Sequence, residues 1–199
     1  MANIRITGGQ WRSRLIKVAD QKKGIQGLRP TPDRVRVTLF NWLGQNLDGL
    51  RCLDLFAGSG MLGFEAASRG AAQVTLIEQS PEAFRQLQQN AHALTTATNH
   101  QGLELIRTDA LKFATTVTQP YDLLFLDPPY HQDWLERIAP HLTRLLTQDA
   151  RIYVEAEHAV SSLGDWQCVK QGQAGQVFYQ LLELPCPIES LSTPALSIP

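Results

Sequence analysis

The residues best placed to do chemistry are Asp127-Pro128-Pro129-Tyr130, directly after the apolar run Leu123 to Leu126. Two prolines restrict the backbone and withdraw two N–H donors, leaving carbonyl and carboxylate acceptors. Such a cluster suits a substrate amine. An aromatic amine is a poor nucleophile because its lone pair is delocalised into the ring. If Asp127 and the Pro128 carbonyl each accept one of its N–H groups, the lone pair is left aimed at an electrophile. Tyr130 can stack on the base and hold its plane. The plainer alternative is a Pro-Pro turn that only ends a strand. On this reading the catalytic candidates are Asp127, Pro128, Pro129 and Tyr130, and no metal is required.

A second constellation lies upstream. Asp54-Leu55-Phe56-Ala57-Gly58-Ser59-Gly60 leaves an apolar run and enters a helical pattern. Glycines there let backbone approach a ligand, and the helix start offers unpaired N–H groups to an anionic group. Gly58 to Gly63 also reads as GxGxxG, with Glu78 following 20 residues after Gly58, so a nicotinamide-dependent dehydrogenase has to be weighed. Asp54 argues against it, because a carboxylate there would face the pyrophosphate. A cofactor bearing an ammonium group accepts that charge. S-adenosyl-L-methionine has the ammonium, a carboxylate for the loop amides, a ribose diol for Glu78 and an adenine amine for Asp109. The cofactor contacts expected are Asp54, Phe56, Ala57, Gly58, Ser59 and Gly60, Glu78 with Gln79, Asp109 with Ala110, and Asp127. Each carboxylate alone reads equally well as a helix cap. A catalytically silent RNA-binding protein is the remaining alternative.

The elements that must position these residues follow from hydrophobic periodicity. Apolar runs at 51–56, 73–78, 103–107, 121–126 and 150–155 alternate with helical patterns at 61–69, 81–94, 110–116 and 132–147. Strand and helix alternating in this way require a mostly parallel sheet with helices on both faces. In an open parallel sheet ligands bind at the carboxyl ends of strands, where all the acidic candidates fall. Runs at 165–169 and 176–183 add an antiparallel hairpin at one edge. Before the sheet, 3–7 and 14–18 read as two short strands around Gly8-Gly9. A flexible stretch follows, then a helix capped by Thr31 or Asp33 and running to about Leu47. The domain expectation is a basic arm at 1–30, an α/β domain at 31–184 and a disordered tail at 185–199.

The 199 residues carry a net charge of −1, yet residues 1–36 hold nine basic and two acidic side chains, about +7. The remaining 9 basic and 17 acidic residues leave the body at about −8. The asymmetry suggests an anion-seeking arm on an acidic body, against the plainer reading of a solvated patch. No apolar stretch reaches membrane-spanning length and no secretory leader is evident, so a cytoplasmic protein is expected. Cys52, Cys168 and Cys186 match neither a disulfide framework nor a zinc site.

The glycine loop and Asp127-Pro128-Pro129-Tyr130 together resemble the motifs of methyltransferases that modify exocyclic amines. Arg5 to Arg14 with Gly8-Gly9 and Trp11, Leu28 to Arg36, Leu39 to Leu43, Ile152 to Glu155 and Ala174 to Val177 narrow the resemblance. Across nearly the whole chain it is similar to the bacterial 16S rRNA guanine-N2 methyltransferase family of the RsmD type. That resemblance implies a Rossmann-like class I fold with a seven-stranded sheet, an N-terminal β-hairpin and helix, and S-adenosyl-L-methionine as donor. It also implies that a guanine N2 amine in 16S rRNA of the small ribosomal subunit is the target, and a monomer is expected. Arg5, Gln10, Trp11, Arg12, Arg14, Arg29, Arg34 and Arg36 would then contact RNA. Val37 stands where the family usually has Glu.

Overall fold

In a computed structural model, residues 2–18, 32–96 and 102–185 are described. β1 (Ala2–Arg5) and β2 (Leu15–Val18) pair antiparallel as a separate two-stranded sheet, with Ile4 opposite Ile16. Helix α1 (Asp33–Leu43) follows. It starts after Pro32 without a side-chain cap and stops at Gly44, whose φ of 86° leaves the helical region, four residues short of the expected Leu47. Thr31, Lys22, Lys23, Arg29 and the tail from Cys186 onward lie outside the described residues.

The apolar runs become β3 (Arg51–Asp54), β4 (Gln73–Ile77), β5 (Leu103–Ile106), β6 (Tyr121–Leu126) and β7 (Leu146–Ala156). Between them lie α2 (Met61–Ser68), α3 (Pro81–Thr95), α4 (Ala110–Thr116), α5 (Trp134–Ile138) and α6 (Leu142–Leu145). The chain ends in β8 (Ser162–Leu163), β9 (Trp166–Ala174) and β10 (Val177–Glu183). The strand order is β5-β4-β3-β6-β7-β10-β9-β8, parallel from β5 to β7 and antiparallel beyond. The sheet therefore has eight strands where seven were expected. The extra one is β8, two residues long and too short to leave a periodic signal.

The expected helix at 132–147 is broken. Pro140 has no N–H and its ring crowds the preceding turn, so α5 ends at Ile138 and a 3-10 turn spans Ala139–His141. What was read as the last helical turn and its loop is instead the start of β7 at Leu146.

Side chains alternate across β6: Leu123 and Phe125 enter one core with Phe40, Phe64 and Leu87, while Leu124 and Leu126 enter another with Ile138 and Leu142. Burial on both faces is why these strands read as unbroken apolar runs. The chain winds outward from β3 to β4 and β5, then returns to place β6 on the other side of β3. That reversal opens a crevice beyond the carboxyl ends of β3 and β6.

The N-terminal hairpin is docked on α2. Gln10 N–H donates to the Ser68 carbonyl at 2.7 Å, Trp11 N–H to Ser68 Oγ at 2.9 Å, and Thr7 N–H to Glu65 Oε1 at 2.6 Å. Ile6, Trp11 and Ile16 join the core of this face. Two residues expected at an RNA surface are thereby corrected. Trp11 is fully buried, because its indole is the apolar anchor of the hairpin. Arg36 is fully buried too, with Nε 3.4 Å from Glu65 and Nη2 bonded to Asp33 (2.9 Å) and the Arg5 carbonyl (2.8 Å).

Glu65 also pairs with the buried Arg69 at 3.2 Å, so one carboxylate serves two guanidinium groups and the hairpin backbone. Removing one partner of a buried pair strands the other charge. Glu65→Gln is expected to lower stability by about 3 kcal/mol in chemical denaturation; a loss below about 1 kcal/mol would show that Asp33 and solvent suffice for Arg36.

Candidate active site

The carboxyl ends of β3, β4, β5, β6 and β7 each carry an acidic residue at or just beyond the last paired position. Asp54 closes β3 and is 2% exposed. Its Oδ2 accepts the Gly63 N–H at 3.2 Å, and the Phe56 amide bonds it as well. Burial pushes its carboxyl up to about 7, Glu78 and Glu155 push the same way, and the two backbone N–H bonds oppose them. The loop from Phe56 to Gly60 wraps this carboxylate. Ala57 is buried and donates to the Ile77 carbonyl (2.9 Å), while Gly60 N–H returns to Ala57 O (2.6 Å). Gly60 sits at φ 87°, where a Cβ would collide with Phe64 and Leu87. Gly58, at φ 52°, instead faces open space, so a side chain there would fill the room a ligand can use.

Glu78 follows β4. Its Oε2 accepts the Gly58 N–H at 2.9 Å and its Oε1 the Ser80 N–H at 2.7 Å, tying the glycine loop to the start of α3. A carboxylate offers four lone-pair sites, which leaves acceptor capacity for a diol. Gln79 is exposed beside it. Asp109 caps α4 through Lys112 N–H at 3.0 Å, so the capping role that one carboxylate can always play is real here; Ala110 is buried behind it.

Asp127 follows β6 and is half-buried. Burial, then the charges of Glu155 and Asp54, hold its carboxyl well above the usual carboxylate range. The β6–β7 register pairs Leu126 with Val154, so the next residues, Asp127 and Glu155, emerge side by side. Pro128, Pro129, Tyr130, Trp134, Glu155 and Glu157 are among the residues lining a pocket of about 50 Å³. Burial and the Asp127, Glu155 and Glu157 charges push the Tyr130 hydroxyl up to about 12, which keeps it protonated. Phe56 meets Trp134 edge-on, centroids 5.2 Å apart at 67°, joining the glycine loop to the segment after β6. In that segment His131 and Asp133 hold positive φ of 60° and 51°. His131 is restrained by Glu157 through its N–H (3.2 Å) and Nδ1 (2.9 Å).

Of the residues expected at RNA, Arg5, Gln10, Arg12 and Arg34 are exposed and Arg14 is half-buried, all on the hairpin or the first turn of α1. Val37 lies on the outer side of α1, 43% exposed. Two residues escaped sequence reasoning. Glu155 is 3% exposed, and its Oε1 accepts the hydroxyl of buried Tyr153 at 2.9 Å. The signal was present: a polar residue ending the apolar run Ile152-Tyr153-Val154, as at every other strand tip. Asn90 is buried on α3 and donates to both Ser59 O (3.0 Å) and Lys17 O (2.9 Å), linking glycine loop and hairpin. It sits on the buried stripe Leu87, Asn90, Ala91, Leu94, where an amide is out of place unless it is bonded.

The group fitted by these residues bears cationic and hydroxyl functions. The charges that act on Asp54 and Asp127 are those of other carboxylates, and the open face of Gly58 lies beside them. The family described as conserved hypothetical protein 95 matches residues 4–183. The chain belongs to this family. Its relatives include ribosomal RNA small subunit methyltransferase D of Escherichia coli K12, 40% identical over 90% of this chain and 89% of that protein. The Haemophilus influenzae protein of the same name is 39% identical over 90% and 93%. A solved Escherichia coli protein described as a candidate methyltransferase superposes with a TM-score of 0.80 at 39% identity, covering 92% of this chain and 98% of that one.

Asp54 is neutral below about 7 and charged above it, and an ammonium group placed against it would bind the charged form. Affinity for S-adenosylhomocysteine, measured by calorimetry, is therefore expected to rise about tenfold from pH 6 to pH 8. A flat profile, or one that falls over that range, contradicts an ammonium contact at Asp54.

Proposed function

We propose that this chain transfers a methyl group from S-adenosyl-L-methionine to the exocyclic N2 amine of a guanine in 16S rRNA of the small ribosomal subunit. Kinship with ribosomal RNA small subunit methyltransferases supports rRNA methylation. The observation that carries the chemistry is the placement of Asp127, Pro128 and Tyr130 on the same sheet edge as Asp54 and its glycine loop.

S-adenosyl-L-methionine supplies, when bound, an electrophilic methyl on a sulfonium. Asp54 would hold its ammonium, Glu78 the ribose hydroxyls and Asp109 the adenine amine, against the open face of Gly58. Asp127 and the Pro128 carbonyl accept the two hydrogens of the guanine amine, and Tyr130 restrains the base in plane. Asp127 then takes the proton that the methylated nitrogen sheds. Its raised proton affinity suits that role, because an ordinary carboxylate would hold a proton poorly near neutrality. Catalysis is otherwise positioning and electrostatics. Dinucleotide binding at the literal GxGxxG is disfavoured: Asp54 already occupies the Gly63 amide of the helix start, where a pyrophosphate would need its donors.

The arm at 1–30 supplies phosphate contacts through Arg5, Arg12 and Arg14, with Arg34 beside it, and residues 31–184 form the methyltransferase domain. The target base is turned out of its surroundings to reach the pocket. Asp127→Ala is expected to reduce transfer by at least a hundredfold while leaving S-adenosylhomocysteine affinity within about threefold, assayed by mass spectrometry of rRNA nucleosides beside calorimetry. Retained transfer would remove Asp127 from the reaction. Arg12→Glu with Arg14→Glu is expected to weaken small-subunit binding and to flatten its salt dependence, because fewer counterions are released. Equal affinities across a salt titration would move the RNA contact elsewhere.

A further inference from the structure

The acceptors at the mouth of the pocket outnumber what a single amine requires. Two hydrogens on an exocyclic nitrogen are satisfied by Asp127 and the Pro128 carbonyl. Glu155 is a third acceptor in the same place: it emerges beside Asp127 by strand register, lines the pocket with Pro128 and Tyr130, and is buried at 3% exposure. The Tyr153 hydroxyl donates to Glu155 Oε1 at 2.9 Å, and Tyr153 is itself fully buried against Phe125 in an edge-on contact, centroids 6.4 Å apart. The carboxylate is thus oriented from behind by a phenol that cannot move. A carboxylate offers about four lone-pair sites, so the bond from Tyr153 leaves it able to accept a further N–H.

The bases differ in what lies next to the reacting amine. In guanine the N2 amine is flanked by N1–H, a donor, on one side and by N3, an acceptor, on the other. In adenine and cytosine the ring nitrogen beside the exocyclic amine is an acceptor. An acceptor in the pocket therefore attracts guanine and repels the other two, provided it reaches that ring position. We propose that Glu155 accepts the guanine N1–H and is the residue that restricts this site to guanine. The proposal rests on the guanine-N2 reading of the site and adds to it the group that reads the base. Glu155 touches substrate in this role, while Tyr153 positions it.

The probe is 2-aminopurine, which keeps the amine at the same ring carbon as guanine and has an unprotonated N1. Small subunits are reconstituted with guanosine or 2-aminopurine riboside at the target position. Their affinity for the full-length protein with S-adenosylhomocysteine bound is measured alongside methyl transfer. The native protein is expected to prefer guanosine by at least tenfold in affinity, the discrimination of one good base contact. Glu155→Gln, which can turn its amide to donate to the unprotonated nitrogen, is expected to bring the two affinities within about threefold. Tyr153→Phe, which removes only the orienting hydroxyl, is expected to give an intermediate ratio. Thermal melting reports on folding and is expected to be retained; S-adenosylhomocysteine affinity reports on the donor site and is expected to be retained or to rise, since Glu155 is one of the charges that raise Asp54. A native ratio near one, or a ratio unchanged in both variants, overturns the assignment while leaving guanine methylation intact. Failure of the native protein to produce N2-methylguanosine overturns the guanine reading and this assignment with it.

Discussion

Carboxylates held close together at the tips of neighbouring strands are the constraint on which the site depends. Asp54, Asp127 and Glu155 influence one another electrostatically at the tips of three adjacent strands, and burial raises the proton affinity of the first two. Nothing in their side chains favours this arrangement. It is imposed by the ladders of β3, β6 and β7, whose residues pack into apolar cores on both faces of the sheet. The cores are large enough to hold strand tips where the charges alone would drive them apart. The repulsion that remains is relieved by cationic or N–H-bearing ligands, so the arrangement favours groups of that kind.

The glycine loop is braced from several sides. Asp54 and Glu78 each bond one of its amides, Phe56 packs on Trp134, and Asn90 takes the Ser59 carbonyl. Asn90 carries this bracing outward, because the same amide group pairs with both the N–H and the carbonyl of Lys17 in β2. On the other side Glu65 and Ser68 of α2 hold residues 7–11, and α2 begins at the glycine loop itself. The basic hairpin and the glycine loop are therefore tied together through Asn90 and α2. Displacing either one breaks hydrogen bonds at the other.

What the sequence revealed and what it hid divides along a physical line. Strand tips were legible because fully buried parallel strands read as apolar runs, and the first acidic residue after a run stands out. Asp54, Glu78, Asp109 and Asp127 stood out in this way, whereas Glu155 was passed over as a site residue because its run was read as a strand and as part of the family resemblance. Trp11 and Arg36 were misplaced for a different reason. Composition registers that residues 1–36 are basic, yet it cannot tell which cation turns inward to meet Glu65, 29 residues away. The break at Pro140 had a local signal that the apolar period of residues 132–147 outweighed. β8 and the amide bonds of Asn90 are tertiary facts, set by what packs alongside rather than by local preference.

The charge asymmetry gains meaning from this geometry. An acidic body with a more acidic pocket repels a phosphate backbone, and by itself it would keep RNA at a distance. The exposed Arg5, Arg12 and Arg34, on the hairpin and beside it, reverse that sign over one limited area. On the proposed reading, phosphates are attracted there and repelled from the pocket, so the part of a nucleotide that enters is the uncharged base. Among uncharged bases, an acceptor-lined cavity favours the edge richest in N–H groups. On that reading selection proceeds by charge at long range and by hydrogen-bond polarity at contact, and both depend on the carboxylates at the strand tips.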